Sequence, residues 1–386
     1  MNVLIWPVLQ KKKVSCMIDI SPSSVRRSGD FPFFSICIPQ HNRTSFLLEA
    51  LRVLAEQTFR EFEVCISDDR SSDGRQKEII EFLKNADISF RYIMQERNLR
   101  YDGNLRASMA LAQGRYCFLH GNDDCLKGRD ALQKLHDVLV THNFPEVAIP
   151  NFEDWSSGIV TRRVRQTGIA GSGPMVAASS FRNVAFVTGV TVDRALSHRF
   201  ASDRWDGSEM YQMWMSARIL AAGGRLLTLD ESLVRKDILV PGENVDSYAR
   251  QQIIKPCPII HRQMTFGKIG ALVADAIAPY LAEENRSHVL NKIFLQLYYF
   301  TYPYWIVEYR RVQSWKFAAG VCLGLNPRYV AGHVRTGFLN YMRLKVVYFC
   351  VCVAGLGVPL FLFDFLRPLF YRIAKTGLKH RRATES

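Results

Sequence analysis

Four short apolar runs, at 34–39 (FSICIP), 62–67 (FEVCIS), 90–94 and 116–119 (YCFL), punctuate the first third of the chain. Runs this short, apolar at nearly every position, are the mark of strands covered on both faces, as in parallel sheets. The segments between them change period. Residues 46–58 place Leu47, Leu48, Leu51, Val53 and Leu54 at helical spacing, 75–83 does the same with Ile79, Ile80 and Leu83, and 104–112 turns helical again. The order β-α-β-α-β-α-β predicts an α/β fold with a mostly parallel, Rossmann-like sheet and helices on both faces. Right-handed crossovers then bring the loops at His41, Asp69 and Asp124 to one edge of that sheet.

That edge is where polar chemistry gathers. The strand at 116–119 runs into Gly121-Asn122-Asp123-Asp124, the one at 62–67 into Asp68-Asp69-Arg70-Ser71-Ser72-Asp73-Gly74, and the one at 34–39 into His41-Asn42-Arg43. Two carboxylates and a carboxamide at a strand's carboxyl end suit a hard divalent cation, and such a cation neutralises a diphosphate. Gly-Asn-Asp-Asp also makes a good solvated turn. Three such loops converging on one edge favour the ligand site.

Pro39-Gln40-His41-Asn42-Arg43, the Asp68–Gly74 loop, Asn98 with Gly103-Asn104, and Gly114-Arg115-Tyr116 leading to Asn122-Asp123-Asp124 together resemble the nucleotide-sugar half of a family-two glycosyltransferase of the GT-A fold. The Gly-Asn-Asp-Asp form is most similar to the abequosyltransferase-type, surface-polysaccharide branch. The resemblance spans roughly residues 33–244. It implies that Pro39, His41 and Asn42, with Asp69 and the neighbouring Asp68, line the nucleotide base and ribose, joined by Asn104 and Asn122. It implies that Asp124 ligates Mg²⁺ or Mn²⁺, with Asp123 as a second ligand or ribose contact, and that the ion acts as a Lewis acid on the departing nucleoside diphosphate. Asn122 stands where many relatives carry aspartate, which removes one negative charge. Arg100 stands where glycine is common, and either faces the diphosphate or is a solvated arginine.

An inverting transfer needs a base for the acceptor hydroxyl. The resemblance puts an acid at the start of the helix that runs through Met215, Ile219 and Leu220, and in 201–214 (ASDRWDGSEMYQMW) Glu209 fits best. Asp206 and Asp203 compete, and Asp206 or Ser208 is equally suited to cap that helix. The following loop, 234–248, resembles the segment that closes over donor and acceptor, with Arg235 and Lys236 either on the diphosphate or in solvent.

Length changes the picture next. The 386 residues divide into an N-terminal extension (1–32), a catalytic domain (33–250) and a helical C-terminal region (251–386). Within the last, 346–363 (VVYFCVCVAGLGVPLFLF) carries no charge and approaches the ~20 residues of a bilayer span. Arg343 and Lys345 flank it on one side and Arg367, Arg372, Lys375, Lys379, Arg381 and Arg382 on the other. With positive charge at both ends and Gly355, Gly357 and Pro359 offering a bend, a re-entrant hairpin or interfacial helix pair fits better than a crossing. After position 307 there are thirteen Lys or Arg against three acids, which is +10 of the chain's +14. That suits anionic lipid head groups at the cytoplasmic face of the plasma membrane. In 293–307 (IFLQLYYFTYPYWIV) an interfacial aromatic belt competes with core packing. Nine scattered cysteines, without a Cys-x-x-Cys pair or a secretory leader ahead of them, read as reduced packing residues. The basic charge sits beside a lipid-like run and not on an aromatic-studded surface, so nucleic acid is not an expected partner. A nucleotidyltransferase or a silent scaffold at the membrane is the rival reading. The preferred one is sugar transfer from a nucleoside diphosphate to a polyprenol-linked or surface-glycan acceptor.

Overall fold

The computed structural model describes residues 17–20, 31–243, 269–328 and 337–376. Among them eleven strands make one sheet. β1 (Met17–Ile20) lies antiparallel on β4 (Ser89–Met94), outside the expected pattern. β4, β3 (Phe62–Asp68), β2 (Phe34–Gln40) and β5 (Tyr116–Leu119) follow in parallel register, with Cys37 opposite Cys65 and Ile38 opposite Ile66. The second half of the sheet is mixed. β10 (Thr191–Asp193) joins β5 to β7 (Val147–Asp154) antiparallel to both, and β11 (Arg225–Lys236) runs parallel to β7. β6 (Cys125–Leu126) closes the path on β11, while β8 (Val160–Thr161) and β9 (Gly168–Ser172) pair with β7 and β11.

The predicted crossover helices form as α1 (Thr44–Ala55), α2 (Gln76–Asn85) and α3 (Arg100–Ala110). Alternation along each strand decides which layer a residue meets. Ile36, Ile38, Val64 and Ile66 pack with Leu47 and Leu51 of α1, Ile79 and Leu83 of α2, and Leu132 and Leu135 of α4 (Ala131–Thr141). The opposite face presents Cys37, Cys65, Cys117 and Leu119 to Leu105 and Met109 of α3. The same core holds Met213, Trp214 and Ala217 of a helix at Tyr211–Ala221. These cysteines are free thiols buried in the core, filling the packing role expected of them.

The C-terminal helices pack on that second face. Ile269–Ile277 is buried along its whole length against the Tyr211–Ala221 helix. In 293–307, core packing is the arrangement observed, with Ile293, Tyr298, Tyr302 and Ile306 at 1% exposure or less. The 346–363 run is divided between two helices, Phe338–Gly357 and Leu360–Thr376, with the break at Val358 and Pro359 where the bend was expected. Arg310 fixes the break by donating to the Gly355 carbonyl at 2.9 Å and the Val358 carbonyl at 2.7 Å. Leu344 and Cys352 face inward, while Leu339, Met342, Val346, Phe349 and Val353 form an exposed stripe at helical spacing. Phe361, Leu362, Phe365 and Leu369 continue it on the next helix.

One turn registers the parallel strands. Gly114 donates its N–H to Ser35 Oγ at 2.8 Å, and that hydroxyl donates to the buried Glu63 at 2.7 Å. A Cβ at Gly114 would stand 2.9 Å from the Phe34 carbonyl carbon and from the Ser35 nitrogen. Backbone cannot yield as a side-chain tip does, so Gly114→Ala should cost about 1–3 kcal/mol, measured as a lower denaturant midpoint at unchanged slope.

Candidate active site

The carboxyl ends of β2, β3 and β5 are laced together by one buried residue, Gln40. Its backbone carbonyl accepts from the Asp69 N–H at 2.8 Å and from Asn104 Nδ2 at 3.0 Å. Its Nε2 donates to the Asn42 carbonyl at 2.6 Å, and its Oε1 accepts from Asn122 Nδ2 at 2.8 Å. With its Nε2 donating to a carbonyl, the Gln40 oxygen is left to face Asn122, where an amide can donate and an ionised carboxylate cannot. Asn122 is thus a structural donor in this loop cluster. Pro39 lies beside Gln40 in β2. Asn42 sits at φ 52°, donates its N–H to Ser71 Oγ at 2.8 Å and accepts from the Ser72 N–H at 2.7 Å. The His41 ring meets the Asp69 carbonyl at 3.0 Å. Asp68, expected beside the nucleotide, is fully buried, accepting from the Ser71 N–H at 2.7 Å and the Tyr92 hydroxyl, so its oxygens hold the loop. Asp69 accepts from the Leu99 N–H at the entrance to α3, and burial raises its carboxyl above the ordinary range.

Asp123 and Asp124 follow β5, and neither is a solvated turn residue. Asp124 is 4% exposed, accepts from the Thr188 hydroxyl and accepts from the Asp237 N–H at 3.1 Å. Burial, then the charge of Asp123, holds its carboxyl well above the ordinary range. Gly121 leaves room for this, since a Cβ there would lie 2.7 Å from Asp124 Oδ2. Asp123 receives Nη1 of Arg43 at 2.6 Å. His120, buried just before the motif, hydrogen-bonds the Gly121 carbonyl through Nδ1 at 2.7 Å, and burial brings it down to about 4, so it stays neutral. No group of three or more His, Cys, Asp or Glu among the described residues is arranged to hold a metal alone. Two carboxylates, one already carrying a cationic guanidinium, nevertheless fit Mg²⁺ or Mn²⁺ in the manner of sites completed by substrate phosphates.

The opposite wall is built by α3 and the 201–210 loop. Asp102, 1% exposed, accepts from the backbone N–H groups of Gly207 (2.8 Å), Glu209 (2.7 Å) and Tyr211 (2.9 Å). It therefore caps the Tyr211–Ala221 helix in place of Asp206 or Ser208. Asp206 is instead taken by Arg106, at 2.5 and 2.7 Å, and Asp203 is exposed. Glu209 is left at φ 57° in the exposed loop, where partial desolvation, then Asp102, raises its carboxyl while Arg100 opposes. Arg100 is thus coupled to Glu209. The loop is also tied to the Ile269–Ile277 helix, whose buried Asp275 accepts from Trp205 Nε1 at 2.8 Å and Trp214 Nε1 at 3.3 Å and pairs with Arg204 at 3.2 Å.

Tyr101 links the two walls. Its phenol is raised by burial and then by the charges of Asp102, Glu209, Asp124 and Asp123, and its hydroxyl donates to Gln212 at 3.2 Å. Arg235 and Lys236 are neither free nor merely solvated. Arg235 pairs with Glu153 at 2.8 Å, and Lys236 with Asp154 at 2.9 Å and Asp237 at 2.7 Å. Residues 244–248 of the expected closing loop lie outside the described residues. Tyr101, Asp102 and Thr188 had no part in the sequence-based site, and Gln40 and Arg43 stood inside a recognised motif without a role of their own. Asp102 looks in sequence like an ordinary first-turn acid.

A parallel half-sheet gathering acids at its carboxyl edge, extended by mixed strands, is the GT-A architecture. Residues 35–190 match the model described as Glycosyl transferase family 2, and this segment is a domain of that family. Abequosyltransferase RfbV of Salmonella typhimurium is 37% identical over 107 residues, 27% of this chain and 32% of the relative. The GalNAc(5)-diNAcBac-PP-undecaprenol beta-1,3-glucosyltransferase of Campylobacter jejuni is 29% identical over 99 residues, 25% of this chain and 32% of the relative. The chain thus spans about a third of the length of these relatives. Among solved structures, mannosyltransferase PcManGT from Pyrobaculum calidifontis, in complex with GDP-Man and Mn²⁺, superposes with a TM-score of 0.50 at 15% identity, over 93% of this chain and 86% of its own.

Removing the Asp102 cap should loosen the wall that carries Glu209. Asp102→Ala leaves three backbone donors unpaired in a buried place and should cost about 1–3 kcal/mol or more. Hydrogen exchange should rise at 207–211 and not at 121–124; equal exchange in both segments would refute the capping role.

Proposed function

We propose that the chain is a membrane-associated, metal-dependent, inverting glycosyltransferase that moves a sugar from a nucleoside diphosphate to a polyprenol-linked or surface-glycan acceptor at the cytoplasmic face of the plasma membrane. The observation that carries this reading is that Asp123 and Asp124 leave the end of β5 while Asp69 meets the entrance of α3, the helix whose Asp102 also holds the Glu209 backbone. Pro39, His41, Asn42 and Asp69 receive the nucleoside, since a carboxylate accepts from both an imide N–H and a ribose diol. Asn104 and Asn122 hold those loops in register, and Asp68 supports them from below. Asp124 and Asp123 would hold Mg²⁺ or Mn²⁺. When bound, that ion supplies charge neutralisation to the leaving diphosphate.

Glu209 takes the proton of the acceptor hydroxyl as the oxygen attacks the anomeric carbon from the face opposite the diphosphate, so one displacement inverts the centre. A raised carboxyl pKa suits a base that works near neutral pH. Asp206, committed to Arg106, positions the loop. The acceptor class follows from likeness to the undecaprenol-linked glucosyltransferase and from the exposed apolar stripes at 339–353 and 361–369. Those stripes would lie in the lipid interface, with the basic C-terminal residues on anionic head groups.

Glu209→Gln keeps shape but cannot accept the proton, so kcat should fall about 10²-fold or more with donor affinity nearly unchanged. If Asp206→Asn gives that loss and Glu209→Gln does not, the base is Asp206.

Arg100 favours the ionised form of Glu209, and the base acts ionised. Arg100→Met should therefore raise the Glu209 pKa and move the acid limb of the kcat/KM profile to higher pH. An unmoved limb would separate Arg100 from the base.

Vesicle flotation tests the membrane arm. The full chain should float with vesicles containing phosphatidylglycerol, and Phe349→Glu with Phe365→Glu should abolish flotation while sparing donor hydrolysis. Unchanged flotation of the double variant would remove the stripes from the interface.

A further inference from the structure

We infer that Arg43 is an exchangeable cation of the donor site, resting on Asp123 while the site is empty and transferring to the donor's diphosphate when a divalent ion takes its place. This rests on the reading of Asp123 and Asp124 as the metal-binding pair. Arg43 ends the short loop after β2, at φ 57°, and opens α1, so its backbone is fixed by the same loop that carries His41 and Asn42. Its guanidinium lies 4.1 Å from the centroid of the Phe46 ring and 2.6 Å from Asp123 Oδ2, with both charged side chains about four-fifths buried. The aromatic face gives the guanidinium a seat that does not depend on the carboxylate.

The charges set the order of events. Asp123 and Asp124 stand side by side, and Arg43 is the cation drawn to Asp123, while Asp124 is occupied by a hydroxyl and a backbone N–H. A divalent ion on both carboxylates brings twice the charge of a guanidinium and competes with it for Asp123. Once displaced, a planar fork of donors beside the metal is matched to phosphate oxygens, which bind it in pairs. Arg43 would thus oppose metal binding in the empty site and favour it once the diphosphate is present.

Two measurements on the full chain test this: Mn²⁺ alone by electron paramagnetic resonance, and UDP or GDP with Mn²⁺ by calorimetry. Arg43→Gln should tighten Mn²⁺ alone by about two- to fivefold, the scale of a partly exposed ion pair. It should weaken the nucleoside diphosphate in the presence of Mn²⁺ by about tenfold or more, the scale of a lost charged hydrogen bond. Phe46→Leu, which removes the seat and keeps the charge, should also tighten Mn²⁺ binding and leave the nucleotide within about threefold. Opposite signs for metal and nucleotide in Arg43→Gln support the exchange. Metal affinity that is unchanged, or that falls together with nucleotide affinity, overturns it. A wild-type chain that binds neither Mn²⁺ nor a nucleoside diphosphate would overturn the metal-site reading itself, and the exchange with it.

Discussion

The loops at the parallel edge of the sheet are held in register by the hydrogen bonds of one buried residue, Gln40. Gln40 ends β2 with no exposed surface, and its backbone and side chain together meet the Asp69, Asn42, Asn104 and Asn122 segments. A buried amide must satisfy donor and acceptor at once, so each partner's orientation follows from the last. The arrangement also explains the asparagine in the Asn122-Asp123-Asp124 motif. An aspartate at 122 would place a carboxylate against the Gln40 oxygen, so the chain trades one negative charge for a fixed loop.

The parallel half of the sheet was legible because its strands are buried on both faces and read as unbroken apolar runs. β2, β3, β4 and β5 fall within a residue or two of the positions their composition predicts. The mixed half was not legible. β6 and β8 have two residues each, and β9 reads Gly-Ile-Ala-Gly-Ser, too short or too glycine-rich to show a period. These strands exist because β11 and β7 offer them hydrogen bonds, which is information held by the tertiary fold.

The site was legible in its acids and illegible in its partners. Asp69, Asp123 and Asp124 announce themselves by standing where apolar strands stop. What each acid does depends on residues remote in the chain: Thr188 for Asp124, Arg43 for Asp123 and Arg106 for Asp206. Asp206 and Glu209 are three positions apart and look alike in sequence, yet one is locked in a bidentate pair and the other is not. The cap of the Tyr211–Ala221 helix comes from Asp102, more than a hundred residues upstream, where no local capping rule could find it.

Asp275 redraws the border between the sheet and the helices that follow it. A single buried carboxylate on the Ile269–Ile277 helix serves two indoles and an arginine of the 204–214 segment, whose other side Asp102 holds. A chain severed between 243 and 269 would strand those three donors beside the very loop that presents Glu209. The C-terminal helices are therefore not luggage attached to a finished fold; they are masonry, since the Ile269–Ile277 helix supplies the acceptor that anchors the Glu209 loop from behind.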